Sequence, residues 1–207
     1  DGDDDLGSGH GVVGLLECQF HISRHRAGDE QAVGVPGRGD ELANEEMIDA
    51  MRELLLPQVT LLTPNSLEAR HLAQRDSDHS ESKLDLEVCA KRLLKMGCEY
   101  VLITGTHENT AHVANTLYGA QGIVRADEWE RLEHTYHGSG CTLASAIAAS
   151  MAHGSSINDS VIEAQDFTWQ ALRAGFRPGM GQYLPDRFFW AKSTDDVENE
   201  GIAIENS

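Results

Sequence analysis

The chain has 207 residues, and its 40% hydrophobic and 24% charged content is that of an ordinary globular protein. Its 34 Asp and Glu residues outnumber 16 Lys and Arg, which gives a net charge of −18. This charge repels nucleic acids and anionic membranes, so we expect neither as a partner. An anionic substrate would need local positive charge or a bridging metal ion to approach. We find no apolar run of membrane-spanning length and no signal-peptide pattern.

The cysteines and histidines do not indicate a disulfide framework or a zinc site. The four cysteines form no CxxC pair, and the ten histidines lack the spacing typical of paired ligands. We therefore expect reduced thiols, a cytoplasmic location and no structural zinc.

The two ends of the chain differ from its middle. Residues 1–36 open with an acidic run and show no sustained hydrophobic period, so we expect irregular structure there. Residues 37–191 carry the patterns of a folded domain. Residues 192–207 are polar and acidic, which predicts a disordered tail.

Helical and extended patterns alternate in the first part of the middle region. Asn44 and the acidic residues after it are typical of a helix start, and Pro57 predicts the end of that helix. Gly97 predicts the end of another. The predicted elements are helices at 45–56, 66–74 and 84–96 and buried strands at 59–63 and 100–104.

The second part begins with a hairpin and ends with helices. Glycines at both ends of 119–122 predict the hairpin turn. The predicted elements are hairpin strands at 111–118 and 122–125, an edge strand at 129–136 and helices at 141–152 and 158–174. This alternation predicts an α/β fold with a doubly wound, mostly parallel sheet flanked by helices.

Polar turns follow several of the predicted strands. They lie at 63–68, at 104–107 and at 137–142. Ligands of doubly wound sheets bind at the carboxyl ends of the strands, so we expect these turns to converge on one crevice.

The turn that contains Gly138, Ser139 and Gly140 opens a long run of small and apolar residues. Backbone N–H groups at a helix N-terminus attract anions. Cys141 lies in the first helical turn, where a thiolate is stabilised. This pattern favours chemistry on a phosphoryl group. It is equally typical of a helix that packs closely on a sheet with Cys141 as an inert core thiol, and the pattern alone leaves both interpretations open.

Segments 62–68, 101–107 and 137–149, in this order, resemble the hydroxymethylpyrimidine/phosphomethylpyrimidine kinases of thiamine biosynthesis, which have the ribokinase-like fold. The resemblance runs from about Gly37 to Trp190. It implies ATP-dependent phosphorylation of 4-amino-5-hydroxymethyl-2-methylpyrimidine, of its monophosphate, or of both. It also implies Mg²⁺ as a cofactor. Relatives of this fold are often dimers, so a homodimer is one state to test.

The resemblance gives the glycine turn a catalytic role. It makes Cys141 the base that takes the proton of the substrate hydroxyl. The amides of Gly138, Ser139 and Gly140 would stabilise charge on the phosphoryl oxygens.

The resemblance gives the other two turns roles in binding the nucleotide. Asn65 and Glu68 would hold Mg²⁺, largely through water, and their hard oxygen atoms suit that ion. Without the resemblance, Asn65 is a turn residue and Glu68 a solvated helix charge. Thr104, Gly105 and His107 would lie near the ATP phosphates. Many relatives carry lysine where Thr104 stands, and His107 is equally typical of a solvent-exposed or capping residue.

The sequence departs from the family before Gly37. We find neither the family's glycine-rich substrate motif nor its Asp-Pro-Val turn in residues 1–36, so the family's N-terminal part is not recognised. The phosphate half of the site is present and the substrate half is mostly absent. Two alternatives therefore remain: a pyridoxal-type kinase of the same fold, and an N-terminally truncated, inactive fragment that binds nucleotide.

Overall fold

A computed structural model describes residues 47–75, residue 78 and residues 84–191. The chain forms two compact units that divide after Arg131. The predicted irregular segment 1–36, the helix start at Asn44 and the predicted tail 192–207 all lie outside the described residues, and those expectations stay predictions.

Between residues 47 and 131, the described part of the first unit contains three helical segments and four strands. Helix α1 comprises residues 47–58, of which Met51–Leu55 form a π-helical turn and Leu56–Gln58 a 3-10 turn. The remaining elements are β1 (Leu61–Leu62), α2 (Ser66–Ala73), α3 (Leu86–Lys95), β2 (Tyr100–Thr104), β3 (His112–Gly119) and β4 (Gly122–Glu130). The helices predicted at 66–74 and 84–96 and the strand at 100–104 are confirmed, whereas the strand predicted at 59–63 shortens to two residues.

The strands form one mixed sheet in the order β1-β2-β3-β4. Strands β1 and β2 are parallel, and β2–β3 and β3–β4 are antiparallel. The mostly parallel arrangement that we expected therefore applies, among the described strands, only to the β1–β2 pair. The predicted hairpin is present, with its turn between Gly119 and Gly122.

The edge strand predicted at 129–136 is wrong. Trp129 pairs with Val113 inside the hairpin, and β4 continues without a break from Gly122 to Glu130. In the rest of the predicted strand, which the structure describes in full, Tyr136 alone makes a bridge, to Tyr183. The alternation of charged residues after 125 fits a half-exposed strand paired on one side, and it is this cross-strand pairing that sets the length of β4.

Apolar faces of α1, α2 and α3 supply the core of the first unit together with β1 and β2. Asp85 caps α3 by accepting hydrogen bonds from the N–H groups of Glu87 and Val88. The inward face of α3 includes Cys89, Ala90 and Leu93, which are fully buried. They join a cluster that includes Leu56, Leu62, Leu72, Val101 and Ile103.

The second unit is built on two helices, α4 (Ser139–Ala152) and α5 (Ile157–Arg173), with a short 3-10 turn at Phe189–Ala191. Both helices were predicted. Ser156 caps α5 by accepting a hydrogen bond from the N–H of Asp159. Small residues on α4 allow close packing against α5, and Ile147 and Val161 are fully buried. No helix in the described ranges is long and apolar enough to cross a membrane.

Replacement of Gly97 tests how closely the loop after α3 packs against α1. The φ of Gly97 is +118°, and a Cβ atom added there would lie 2.6 Å from the Cα of Pro57. We expect Gly97→Ala to cost about 1–2 kcal/mol for the backbone conformation and roughly 1–3 kcal/mol more for the clash. Urea unfolding of the full chain measures this loss.

Gly122→Ala is the matched control. Gly122 has a similar φ of +108°, but nothing lies within 4 Å of an added Cβ. The control should show only the backbone cost. Equal losses of unfolding free energy in the two variants would contradict the close approach of Gly97 to Pro57.

Candidate active site

The end of β1 and the start of α2 place Asn65 and Glu68 in a reciprocal hydrogen-bonded cap. Asn65 Oδ1 accepts hydrogen bonds from the N–H groups of Leu67 and Glu68, each at 3.0 Å. Glu68 Oε2 accepts one from the Asn65 N–H at 2.9 Å. This capping box satisfies backbone donors that the first helical turn leaves open.

Glu68 is therefore not the solvated helix charge that local sequence alone suggested. Asn65 and Glu68 are 8% and 7% exposed, respectively, and they face the interior at the strand end. One carboxylate oxygen is used by the cap, but a carboxylate has several acceptor sites. No group of three or more His, Cys, Asp or Glu side chains suited to a metal occurs among the described residues. The oxygen atoms of Asn65 and Glu68 are of the type that Mg²⁺ prefers, and two such side chains would leave its other positions to water and phosphate.

Thr104 lies directly beside Asn65. Its N–H donates a hydrogen bond to the carbonyl oxygen of Pro64 at 3.0 Å, and the backbones of Asn65 and Thr104 form a parallel bridge. Thr104 is 6% exposed. Parallel pairing of β1 with β2 therefore brings together three of the predicted site residues, Asn65, Glu68 and Thr104.

Gly105 is required by the close approach of β3. A Cβ atom added at Gly105 would lie 2.3 Å from the carbonyl oxygen of Ala114. The Gly105 N–H donates to Asn115 Oδ1 at 3.2 Å, and Asn115 is itself buried. His107 lies exposed in the turn that follows. Asn115 was not among the predicted site residues, because its position opposite Thr104 on β3 follows only from the register of the hairpin.

Two arginines hold the loop after β2. Arg131 donates to the carbonyl oxygens of Thr106, Glu108 and Thr110 at 2.8–2.9 Å. Arg70 of α2 pairs with the carboxylate of Glu108 at 2.7 Å. A cavity of about 180 Å³ lies between this loop and β3. No sequence signal pointed to these contacts, because the paired residues are far apart in the chain.

In the second unit, Gly138 is the N-cap of α4. Its φ of +86° and ψ of +13° are left-handed, a conformation that suits glycine. Gly138 has no side chain with which to cap the helix, so the first-turn amides of Ser139 and Gly140 can face an anion. The Gly138 carbonyl oxygen accepts hydrogen bonds from the N–H and the hydroxyl of Thr142, at 3.0 Å and 2.8 Å.

Cys141 is the third residue of α4 and is half-buried. Its side chain therefore does not lie in the fully buried core, whereas its role in catalysis stays a prediction. Cys141 is disulfide-bonded in this structure, which differs from the four reduced thiols that we expected. Cys89 and Cys98 are free and buried, as expected. Burial raises the pKa of both thiols, that of Cys98 to about 12.

Residues 31–186 match the family model described as phosphomethylpyrimidine kinase. The chain belongs to the phosphomethylpyrimidine kinase family. It is 36% identical, over 134 residues, to the hydroxymethylpyrimidine/phosphomethylpyrimidine kinase of Salmonella typhimurium; the match covers 65% of this chain and 50% of that protein. It is 32% identical to the pyridoxine kinase of Bacillus subtilis, over 70% of this chain and 52% of that one.

Solved structures agree with this family and with the ribokinase-like α/β fold. The Staphylococcus aureus pyridoxal kinase in complex with AMP-PCP superposes with a TM-score of 0.62 at 26% identity, covering 72% of this chain and 54% of that one. An ADP complex of Bacillus subtilis pyridoxal kinase gives 0.63 at 28% identity, covering 70% and 56%. The chain thus spans about half the length of the curated relatives and solved structures that it matches.

The predicted site residues form two groups, one in each unit. Asn65, Glu68, Thr104 and Gly105 adjoin one another in the first unit, and the turn from Gly138 to Cys141 lies in the second. The meeting of both groups in one crevice stays a prediction.

Thiol alkylation tests the different surroundings of the cysteines. After reduction, iodoacetamide at pH 8 should label Cys141 well before Cys89 and Cys98, because Cys141 is half-buried at a helix N-terminus whereas the other two are buried and hard to ionise. Peptide mass mapping over time measures each rate. The urea-unfolded chain serves as control, and equal rates in the native chain would contradict the assignment.

Proposed function

We propose that the chain carries out Mg²⁺- and ATP-dependent phosphorylation of 4-amino-5-hydroxymethyl-2-methylpyrimidine, of its monophosphate, or of both. The observation that carries this proposal is the left-handed Gly138 turn that opens α4, with Cys141 as the third helical residue. This geometry supports an anion site at the first amides of α4, beside a thiol that becomes ionisable when Cys141 is reduced. Family membership supports a kinase as the class of enzyme.

In this mechanism the reduced Cys141 thiolate accepts the proton of the substrate hydroxyl as that oxygen forms its bond to the γ-phosphorus. The bond from the γ-phosphorus to the bridging oxygen breaks, and ADP leaves. The positive end of the α4 dipole would stabilise a thiolate at Cys141, which favours its action as the base. The amides of Gly138, Ser139 and Gly140 stabilise the charge on the phosphoryl oxygens.

Asn65 and Glu68 would hold Mg²⁺, which neutralises phosphate charge when it is bound. Their oxygens are fixed by the capping box, so they would meet the ion or its water molecules without rearrangement. Thr104 and Gly105 lie at the same strand end, and the exposed His107 follows them. We assign all three to the nucleotide phosphates. Cytoplasmic location and homodimer formation stay predictions.

Replacement of Cys141 tests the proposed base. In the presence of a reductant, Cys141→Ala should lower kcat by about 100-fold or more, the usual contribution of general base catalysis. A coupled assay of ADP release with hydroxymethylpyrimidine and Mg-ATP measures this. Cys89→Ala, which removes a thiol without an assigned role, is the control. Turnover like that of the unmodified chain in Cys141→Ala would exclude Cys141 as the base.

Glu68→Gln separates the metal role from the cap. The glutamine side chain keeps an oxygen that can accept the Asn65 N–H, so the unfolding free energy should change by less than about 1 kcal/mol. Loss of the carboxylate should raise the Mg²⁺ concentration needed for half-maximal rate by about 10-fold. Asn65→Ala, by contrast, should cost about 1–2 kcal/mol of stability. An unchanged Mg²⁺ requirement in Glu68→Gln would assign this residue to the cap alone.

A pyridoxal-type kinase is the second candidate. The pyridoxine kinase of Bacillus subtilis is 32% identical to this chain, and the pyridoxal kinase of Staphylococcus aureus shares its fold. The cysteine at position 141 counts against this candidate, since many kinases of that type carry aspartate there. Competition between pyridoxal and hydroxymethylpyrimidine in one assay distinguishes the two by their relative kcat/KM.

An inactive nucleotide-binding fragment is the third candidate. It is motivated by the substrate-binding motifs of the family, which we do not recognise in residues 1–36. Isothermal titration with ATP and with hydroxymethylpyrimidine separates it from an enzyme. Binding of ATP alone favours the fragment, and binding of both favours a complete active site.

A further inference from the structure

Arg187 lies against the glycine turn that opens α4. Its Nε donates a hydrogen bond to Thr142 Oγ1 at 3.0 Å. A Cβ atom added at Gly138 would lie 3.3 Å from Arg187 Nη2. The guanidinium plane therefore reaches the residue whose left-handed conformation starts the helix.

Buried groups fix this position. Thr142 is only 2% exposed, and its hydroxyl both accepts from Arg187 and donates to the Gly138 carbonyl oxygen. On the other side, the N–H of the buried Asp186 donates to the carbonyl oxygen of Ala171 in α5 at 2.8 Å. The backbone that carries Arg187 is thus attached to α5 and its side chain to α4, which leaves little freedom for the guanidinium.

The two terminal nitrogens of Arg187 form no hydrogen bond or ion pair with any of the residues that the structure describes. The net charge of −18 makes carboxylates abundant in this chain, yet none of the described ones pairs with Arg187. Other arginines are paired with acidic side chains, namely Arg52, Arg70, Arg92 and Arg125. The exposed end of Arg187 is a positive charge oriented by the fold and left open.

We infer that Arg187 donates hydrogen bonds from its terminal nitrogens to the terminal phosphate of the nucleotide at the N-terminus of α4. The inference rests on the proposed function. A planar guanidinium with open N–H donors suits phosphate oxygens. The strongly negative chain requires local positive charge for an anionic substrate to approach, and Arg187 supplies it beside the Gly138 turn. Thr142 acts as its positioning residue.

This contact is specific to the terminal phosphate, so it discriminates ATP from ADP. Arg187→Gln should weaken binding of a non-hydrolysable ATP analogue by about 10-fold, the usual order for loss of a charge-assisted hydrogen bond. ADP affinity should stay within about 2-fold. Arg187→Lys keeps the positive charge but lacks the planar pair of N–H donors, so the affinity for the ATP analogue should fall by an intermediate factor. Isothermal titration of the full, reduced chain with Mg²⁺ measures each dissociation constant.

Arg177→Gln is the matched control. Arg177 is also an exposed arginine of the second unit, but its guanidinium donates to the carbonyl oxygens of Met180 and Gly181. The control removes the same charge, and both affinities should stay unchanged. Circular dichroism of each variant checks that the fold is retained.

Three other outcomes would each contradict the assignment of Arg187 to the terminal phosphate. If Arg187→Gln binds the analogue as tightly as the unmodified chain, Arg187 makes no phosphate contact and the kinase proposal stands. If Arg177→Gln shows an equal loss, net charge and not a contact explains the effect. If the unmodified chain binds neither nucleotide, the proposed function fails together with this inference.

Discussion

The turn at Gly138 is the constraint on which the functional account depends. A left-handed residue without a side chain lets the chain enter α4 with its first amides uncapped. The same turn is closed by Thr142, whose hydroxyl bonds to the Gly138 carbonyl oxygen and orients Arg187. The conformation of this turn thus places the positive end of the α4 dipole, Cys141 and the guanidinium of Arg187 close together. A side chain at Gly138 would strain that backbone and crowd Arg187 at once.

In the first unit, the side-chain oxygens of Asn65 and Glu68 stabilise the start of α2, and we assign Mg²⁺ binding to the same side chains. Asn65 and Glu68 begin α2 through their mutual cap, and they are buried where β1 ends beside Thr104. A cap that fixes both side chains also fixes the oxygens that we assign to Mg²⁺. The cost of ordering those oxygens is therefore met during folding and not at the moment of binding.

The sequence allowed us to predict the elements that depend on neighbouring residues. The features that depend on contacts between distant residues could not be predicted. The strand at Tyr100–Thr104 and the start of α2 after Asn65 were predicted because apolar runs and capping residues act over a few positions. The length of β4 was missed because it depends on pairing with β3. The contacts of Arg131 with the 106–110 loop and of Arg187 with Thr142 span 21–25 and 45 residues, respectively, and no pattern in the sequence indicates them.

The central claim is that the first amides of α4 bind phosphate oxygens. Amide NMR of the ¹⁵N-labelled, reduced chain during titration with Mg-ATP tests it most directly. The account predicts that the Ser139 and Gly140 amide resonances shift along a saturating curve, while those on exposed surfaces such as Asp166 of α5 stay in place. Saturating shifts elsewhere, with Ser139 and Gly140 unmoved, would contradict it.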